Sequence, residues 1–114
     1  MTLGEVVTEL GLEVRTGQEE MEREVLGGYC SDLLSDVIAG AKEGDLWITL
    51  QMHPNIVAVA YLNNLAGIVI VGGREPDALT IQKAKEQDVP VMISTLPAYE
   101  LAGRLFRLGI RREG

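Results

Sequence analysis

The run from Leu65 to Pro76, Leu-Ala-Gly-Ile-Val-Ile-Val-Gly-Gly-Arg-Glu-Pro, constrains the fold more than any other segment. Gly67 opens a β-branched apolar stretch that stops at Gly72-Gly73, and Pro76 then starts a helical pattern. A strand that is apolar at every position is buried on both faces, as parallel strands in α/β sheets are. Its exit through glycines into a helix is where an open α/β sheet presents a ligand crevice.

The neighbouring segments repeat this unit. Asp45 to Leu50 reads as a strand, and Pro54 suits the first turn of a helix running through Leu62. Ile68 to Val71 is the next strand, Pro76 to Gln87 a helix, Val89 to Ser94 a strand, and Pro97 opens a last helix with Leu101, Leu105 and Leu108 inward. Alternating strands and helices imply parallel pairing through right-handed crossovers, hence an α/β fold of three layers, α/β/α, with a mainly parallel sheet. The helix from Ile56 to Leu62 is apolar all round, which predicts cover on more than one face, by the sheet and by a second subunit.

The first third reads less regularly. Thr2 and Glu5 have capping-box spacing; Leu3, Val6, Val7 and Leu10 share a helical face, and Gly11 is a natural stop. Leu12 to Val14 reads as a short strand and Arg15 to Glu20 as a polar turn. In Met21 to Leu26 the last part reads as a strand ended by Gly27-Gly28, and Ser31 or Asp32 caps a helix carrying Leu33, Leu34, Val37, Ile38 and Ala41. These first strands are free to run in another orientation.

With 114 residues the chain is expected to be one domain, 1–114, and a net charge of −7 argues against a nucleic-acid polymer as partner. The arginines at 104, 107, 111 and 112 read as company for a helix C-terminus, and the acidic residues 19, 20, 22 and 24 as a solvated face. One cysteine excludes an internal disulfide. No stretch reads as a membrane span or signal peptide, and a cytoplasmic location is the simplest expectation.

Gly72, Gly73 and Arg74 offer an anion cradle: glycines admit close backbone approach, a helix N-terminus follows, and Arg74 adds charge. The plainer reading is a tight strand-to-helix turn. The turn is neither a P-loop nor a dinucleotide fingerprint, because it lacks Gly-Lys-Ser/Thr and a third glycine. His53, the one histidine, sits at a strand end with Asn55 beside it, and Gln51 is placed on the same side by alternation. Its alternatives are a ligand donor or a residue oriented by backbone near a helix start. Ser94-Thr95 reads as a helix cap or a second lip of the crevice. Cys30 reads as buried or half-buried; as a nucleophile it would need His53 brought to it by folding, and His53 with Cys30 or Asp32 is the one set the chain could assemble. One His and one Cys build no soft metal site, so neither metal nor cofactor is expected, nor a catalytic set.

In order and spacing, Gly44-Asp45 before a strand, an apolar helix, Val69 to Pro76, the Val89-Pro90-Val91 strand and the Ser94-Thr95 turn resemble the DRTGG domain family over roughly residues 25–109. The resemblance implies a fold like the N-terminal domain of HPr kinase/phosphorylase and the DRTGG module of long phosphotransacetylases. It also implies a regulatory or ligand-sensing role, frequent dimerisation and no activity of its own; some stand-alone members are encoded near iron-only hydrogenase genes. The Asp-Arg pair of the family name is absent: Gln51-Met52-His53-Pro54-Asn55 stands in its place, and Val71 replaces the Thr. The expectation is thus a divergent stand-alone member. A small anionic metabolite or nucleotide would be held by His53, Asn55, Gly72, Gly73, Arg74 and Thr95 at the strand C-terminal ends. The alternative is a homodimeric interaction module that regulates a partner enzyme such as a hydrogenase-type redox complex.

Overall fold

Thr2 and Glu5 close a reciprocal cap: Thr2 Oγ1 accepts from the Glu5 N–H at 3.2 Å, and Glu5 Oε1 from the Thr2 N–H at 2.9 Å. The helix they start, α1 (Leu3–Leu10), stops where Gly11 turns left-handed at φ 63°. The computed structural model describes residues 1–112. After α1 come β1 (Glu13–Thr16), a 3-10 turn at Gln18–Glu20, β2 (Gly27–Cys30), α2 (Leu34–Gly40), β3 (Asp45–Thr49) and α3 (Asn55–Leu62). Then follow β4 (Gly67–Ile70), α4 (Ala78–Gln87), β5 (Val91–Ile93) and α5 (Ala98–Arg107).

The sheet order is β1-β5-β4-β3-β2. β2 to β5 are parallel, and β1 joins β5 antiparallel. Because β2, β3, β4 and β5 add in one direction, right-handed crossovers put α2, α3 and α4 on one face. Val37, Ile56, Val57 and Ala84 of those helices share a core with Trp47, Ile68, Ile70 and Val91. On the other face Leu3, Val6, Leu101 and Leu105 of α1 and α5 cover Leu46, Ile48, Val69 and Met92. From β2 onward the chain changes face only after β5, so β4 and β5 send their exit loops opposite ways.

The sequence reading needs correction mainly before residue 45. The second strand is not the end of Met21–Leu26 but Gly27–Cys30 itself; upstream, only a bridge from Thr2 to Glu24 extends the pairing. The glycines belong in the strand because a Cβ on Gly27 would lie 2.7 Å from Asp45 Oδ1, and one on Gly28 3.0 Å from Leu105 Cδ2. Neither Ser31 nor Asp32 caps α2: Leu33 holds the cap position without a side-chain bond. Of its expected apolar face, Val37 and Ala41 are buried while Leu33 and Ile38 are exposed. On α3, Ile56, Val57, Val59 and Ala60 are buried, but Ala58, Tyr61 and Leu62 face outward. Within the chain that helix is therefore covered on one side.

Candidate functional site

Four parallel strands end together, and their exit loops build one surface. β2 leads to Ser31–Leu33, β3 to Leu50–Pro54, β4 to Gly72–Pro76 and β5 to Ser94–Leu96. Asp32 braces the first pair of loops. Its Oδ1 accepts from the Thr49 hydroxyl at 2.9 Å and the Leu50 N–H at 2.7 Å, and its carbonyl accepts from Gln51 Nε2 at 2.9 Å. Gln51 is thus turned toward the β2 end, opposite to the side expected of it.

His53 leans the other way. Its Nδ1 lies 3.0 Å from Asp77 Oδ2, across the β3–β4 boundary. A carboxylate only accepts, so the contact sets the proton on Nδ1 and leaves Nε2 outward. Asp77 precedes α4 yet makes no capping bond, because its side chain is spent on His53. Two further bonds pin the corner: the Asp77 N–H and the buried Thr80 hydroxyl both donate to the Met52 carbonyl, at 3.1 and 2.6 Å. Asp77 is the site residue that sequence reasoning missed. The one signal for it was its place at the opening of the helix after the diglycine strand.

Gly72 and Gly73 have φ 72° and 70°, a left-handed pair that side chains resist. Their N–H groups do not point out as a cradle. Gly72 donates to the Leu96 carbonyl at 2.9 Å and Gly73 to the Ser94 carbonyl at 2.8 Å. These two bonds stitch the β4 and β5 loops at the place where they diverge to opposite faces. Ser94 Oγ accepts from the Leu96 N–H at 3.1 Å, which tightens the turn rather than capping α5; Pro97 holds that cap position without a side-chain bond. Arg74 and Thr95 are exposed, and Arg74 forms no ion pair among the described residues. Beside Arg74, Glu75 clasps Arg15 of β1 at 3.0 and 2.7 Å. The hydrogen bond from Arg15 holds the Glu75 carboxyl below the usual carboxylate range.

The structure therefore joins His53 to the β4–α4 loop and joins that loop to Ser94–Leu96. It does not bring Cys30 to His53, which turns toward α4, and Asp32 is committed to the β3 exit. Cys30 is exposed, contrary to the burial expected, and partial burial of its thiol together with the Asp32 charge pushes its pKa up. A raised pKa leaves less thiolate, the reverse of an activated nucleophile. Among the described residues, Glu19, Glu20 and Asp88 bring their carboxylate oxygens within 4.8 Å of one another, an acidic cluster at the surface. No helix of the described residues is long and apolar enough to cross a membrane.

A family model described as "DRTGG domain" matches residues 5–108, so the match takes in α1 and β1 as well as the segment expected. No curated protein matches the chain. Among solved structures, the CBS and DRTGG domains of the regulatory region of Clostridium perfringens pyrophosphatase, complexed with the activator diadenosine tetraphosphate, superpose with TM-score 0.72 at 16% identity. That match covers 91% of this chain and 45% of the other, so the chain spans less than half of its neighbour's length. At this identity the likeness is one of fold.

Proposed function

Because the chain belongs to the DRTGG domain family, we propose that it is a non-catalytic regulatory domain that senses a small anionic metabolite or nucleotide at the carboxyl ends of its parallel strands. The observation that supports the reading is that α3 and α4 start from the exits of the adjacent strands β3 and β4, while the loop leading to α5 is tied to the β4 exit by the Gly72 and Gly73 bonds to Leu96 and Ser94; none of the three helices is closed by a side-chain cap. Helix N-termini carry partial positive charge and unsatisfied N–H groups. Gly72 and Gly73 shape the approach; the donors come from the helix ends, Arg74 and Thr95, whereas Asn55, expected here, lines the outer groove along α3. Asp77 disfavours an anion beside His53, so the anionic end lies by Arg74 and Thr95, and His53 Nε2 faces the neutral part of the ligand. Such a sensor works in the cytoplasm, where nucleotides are. The nucleotide-bound regulatory region of the neighbouring structure is consistent with this class of ligand.

The test is thermal unfolding against a panel of nucleotides, dinucleoside polyphosphates and phosphorylated metabolites. A ligand at ten times its Kd adds about 1.4 kcal/mol, a rise of about 5 °C for a domain this size. Arg74→Ala is expected to abolish the rise. No stabilisation at millimolar concentration, or a rise indifferent to Arg74→Ala, overturns the reading.

The outward face of α3 favours a second reading, a homodimeric module that regulates a partner enzyme, a redox complex of hydrogenase type included. Ala58, Tyr61 and Leu62 lie exposed beside Lys83 and Gln87 of α4 along an open groove of about 580 Å³. Light scattering of the wild type should then give twice the chain mass, and Leu62→Asp the single mass. A wild-type monomer at all concentrations removes this reading.

A further inference from the structure

The two edges of the sheet are built differently. Edge strands expose unpaired main-chain groups, and proteins blunt them with charge, bulges or cover. β1 follows that rule: its pairing shifts register between Val14 and Thr16, and Glu13 and Arg15 stand on it as an ion pair. β2 does not. It reads Gly-Gly-Tyr-Cys, straight in register with β3 and without a charged residue. The Ser31 N–H donates to the Ile48 carbonyl, which sets the phase of the ladder. In a parallel pair every second residue turns its main chain to its neighbour. Gly28 and Cys30 therefore turn theirs to the open side, and these are the two exposed residues of the strand.

Beside this edge runs a cavity of about 360 Å³ that touches both faces of β2. Its apolar wall on the α5 side is Leu105, Phe106 and Ile110, and its charged rim is Lys42 and Arg111 together with the Arg112–Asp45 pair, which leaves Lys42 and Arg111 as its net positive charge. Arg112 is held at the Gly27 end by Asp45, with N···O 2.7 Å, and Arg111 stacks 4.9 Å from the Phe106 ring centre. Among the described residues the carboxylates near this edge already have partners: Asp45 pairs with Arg112, Asp36 accepts from the Tyr29 hydroxyl at 2.9 Å, and Asp32 beside Cys30 accepts from the Thr49 hydroxyl and the Leu50 N–H.

We propose that the β2 edge is a docking site for an extended acidic segment of a partner protein, which adds to the sheet as a sixth strand beside β2. Main-chain bonds to Gly28 and Cys30 supply register, alternate apolar side chains enter the wall under α5, and carboxylates meet the basic rim. A second copy of the chain fits less well: two-fold pairing is antiparallel and brings the other copy's Ser31–Leu33 end to this rim, where the nearest carboxylate, Asp32, is already held by the Thr49 hydroxyl and the Leu50 N–H. This site is separate from the strand-end surface, so either proposal can fail alone.

The test is selection of displayed random peptides of about twelve residues, long enough for one strand and its flanks. The expected binders alternate aliphatic residues and carry carboxylates. In an NMR titration of the full chain they shift the Gly28 and Cys30 amides and slow their exchange. Cys30→Pro removes an outward N–H that the ladder does not use, and should weaken binding about ten-fold, the size of one lost hydrogen bond. Cys30→Ser keeps that N–H and should bind as wild type. Arg111→Glu should weaken binding as well, and so should N-methylation of the peptide amides that face β2, which alters nothing in the protein. Three outcomes overturn the proposal: no enrichment, binders indifferent to all these changes, or binders that map to the α3 groove. So does a dimer of the free chain that Cys30→Pro dissolves, because the occupant is then a second copy.

Discussion

Arg15 and Glu75 connect an edge strand to the exit loop of the central strand, and their chemistry gives the clearest pH effect at the scale of single residues. Glu75 titrates below an ordinary glutamate because Arg15 hydrogen-bonds its charged form. A carboxyl lowered in the folded state stabilises the fold above its unfolded pKa and loses that contribution as pH falls through the folded one. Between about pH 5 and pH 2, Arg15→Ala should therefore flatten the pH dependence of stability, and carboxyl NMR should show Glu75 returning to the ordinary glutamate range. Two glycines make an opposed pair of predictions. Gly73 sits at φ 70°, so Gly73→Ala should cost about 1 kcal/mol in urea unfolding. Gly103 lies inside α5 with open space at its Cβ position, so Gly103→Ala should add about 0.5–1 kcal/mol.

Among the elements, α1 depends on its reciprocal cap; Thr2→Ala should cost about 1 kcal/mol, read by chemical denaturation. That cap was legible because both partners lie within one turn. From Asp45 onward the order strand, helix, strand, helix, strand, helix was legible too, because apolar runs and glycine or proline boundaries are local signals. β2 was not. Gly27-Gly28 read as a terminator, yet Asp45, Arg112 and Leu105 occupy the space that side chains there would need, and those residues are remote in sequence. The candidate surface divides the same way. His53 and the diglycine were placed on adjacent strand ends from the element order alone. The Asp77 contact, the two glycine N–H bonds to the β5 loop and the reversed direction of Gln51 depend on how loops settle after strands pair. No spacing rule reads that.

The three crossovers from β2 to β5 are wound one way, and the chain turns to the other face only as it leaves the last strand. β3 and β4 lie between other strands and under helices on both sides, while residues 17–26 lie outside the five-strand ladder, tied by main-chain bonds to Met1, Leu3, Gly4 and Gly44 and by Arg23 to the Asp88 carbonyl. Amide exchange should follow this division: β3 and β4 open only with global unfolding, and residues 18–24 open earlier. Arg23→Ala should speed exchange in the second group and leave the first unchanged; equal acceleration in both would refute the division. Trp47 adds a consequence of its own. It is the sole tryptophan, fully enclosed, with its indole N–H bonded to the Ser31 carbonyl where β2 ends. The protein thus contains a native fluorophore wired to the strand that the proposed guest would join, and docking can be followed by emission colour without any dye.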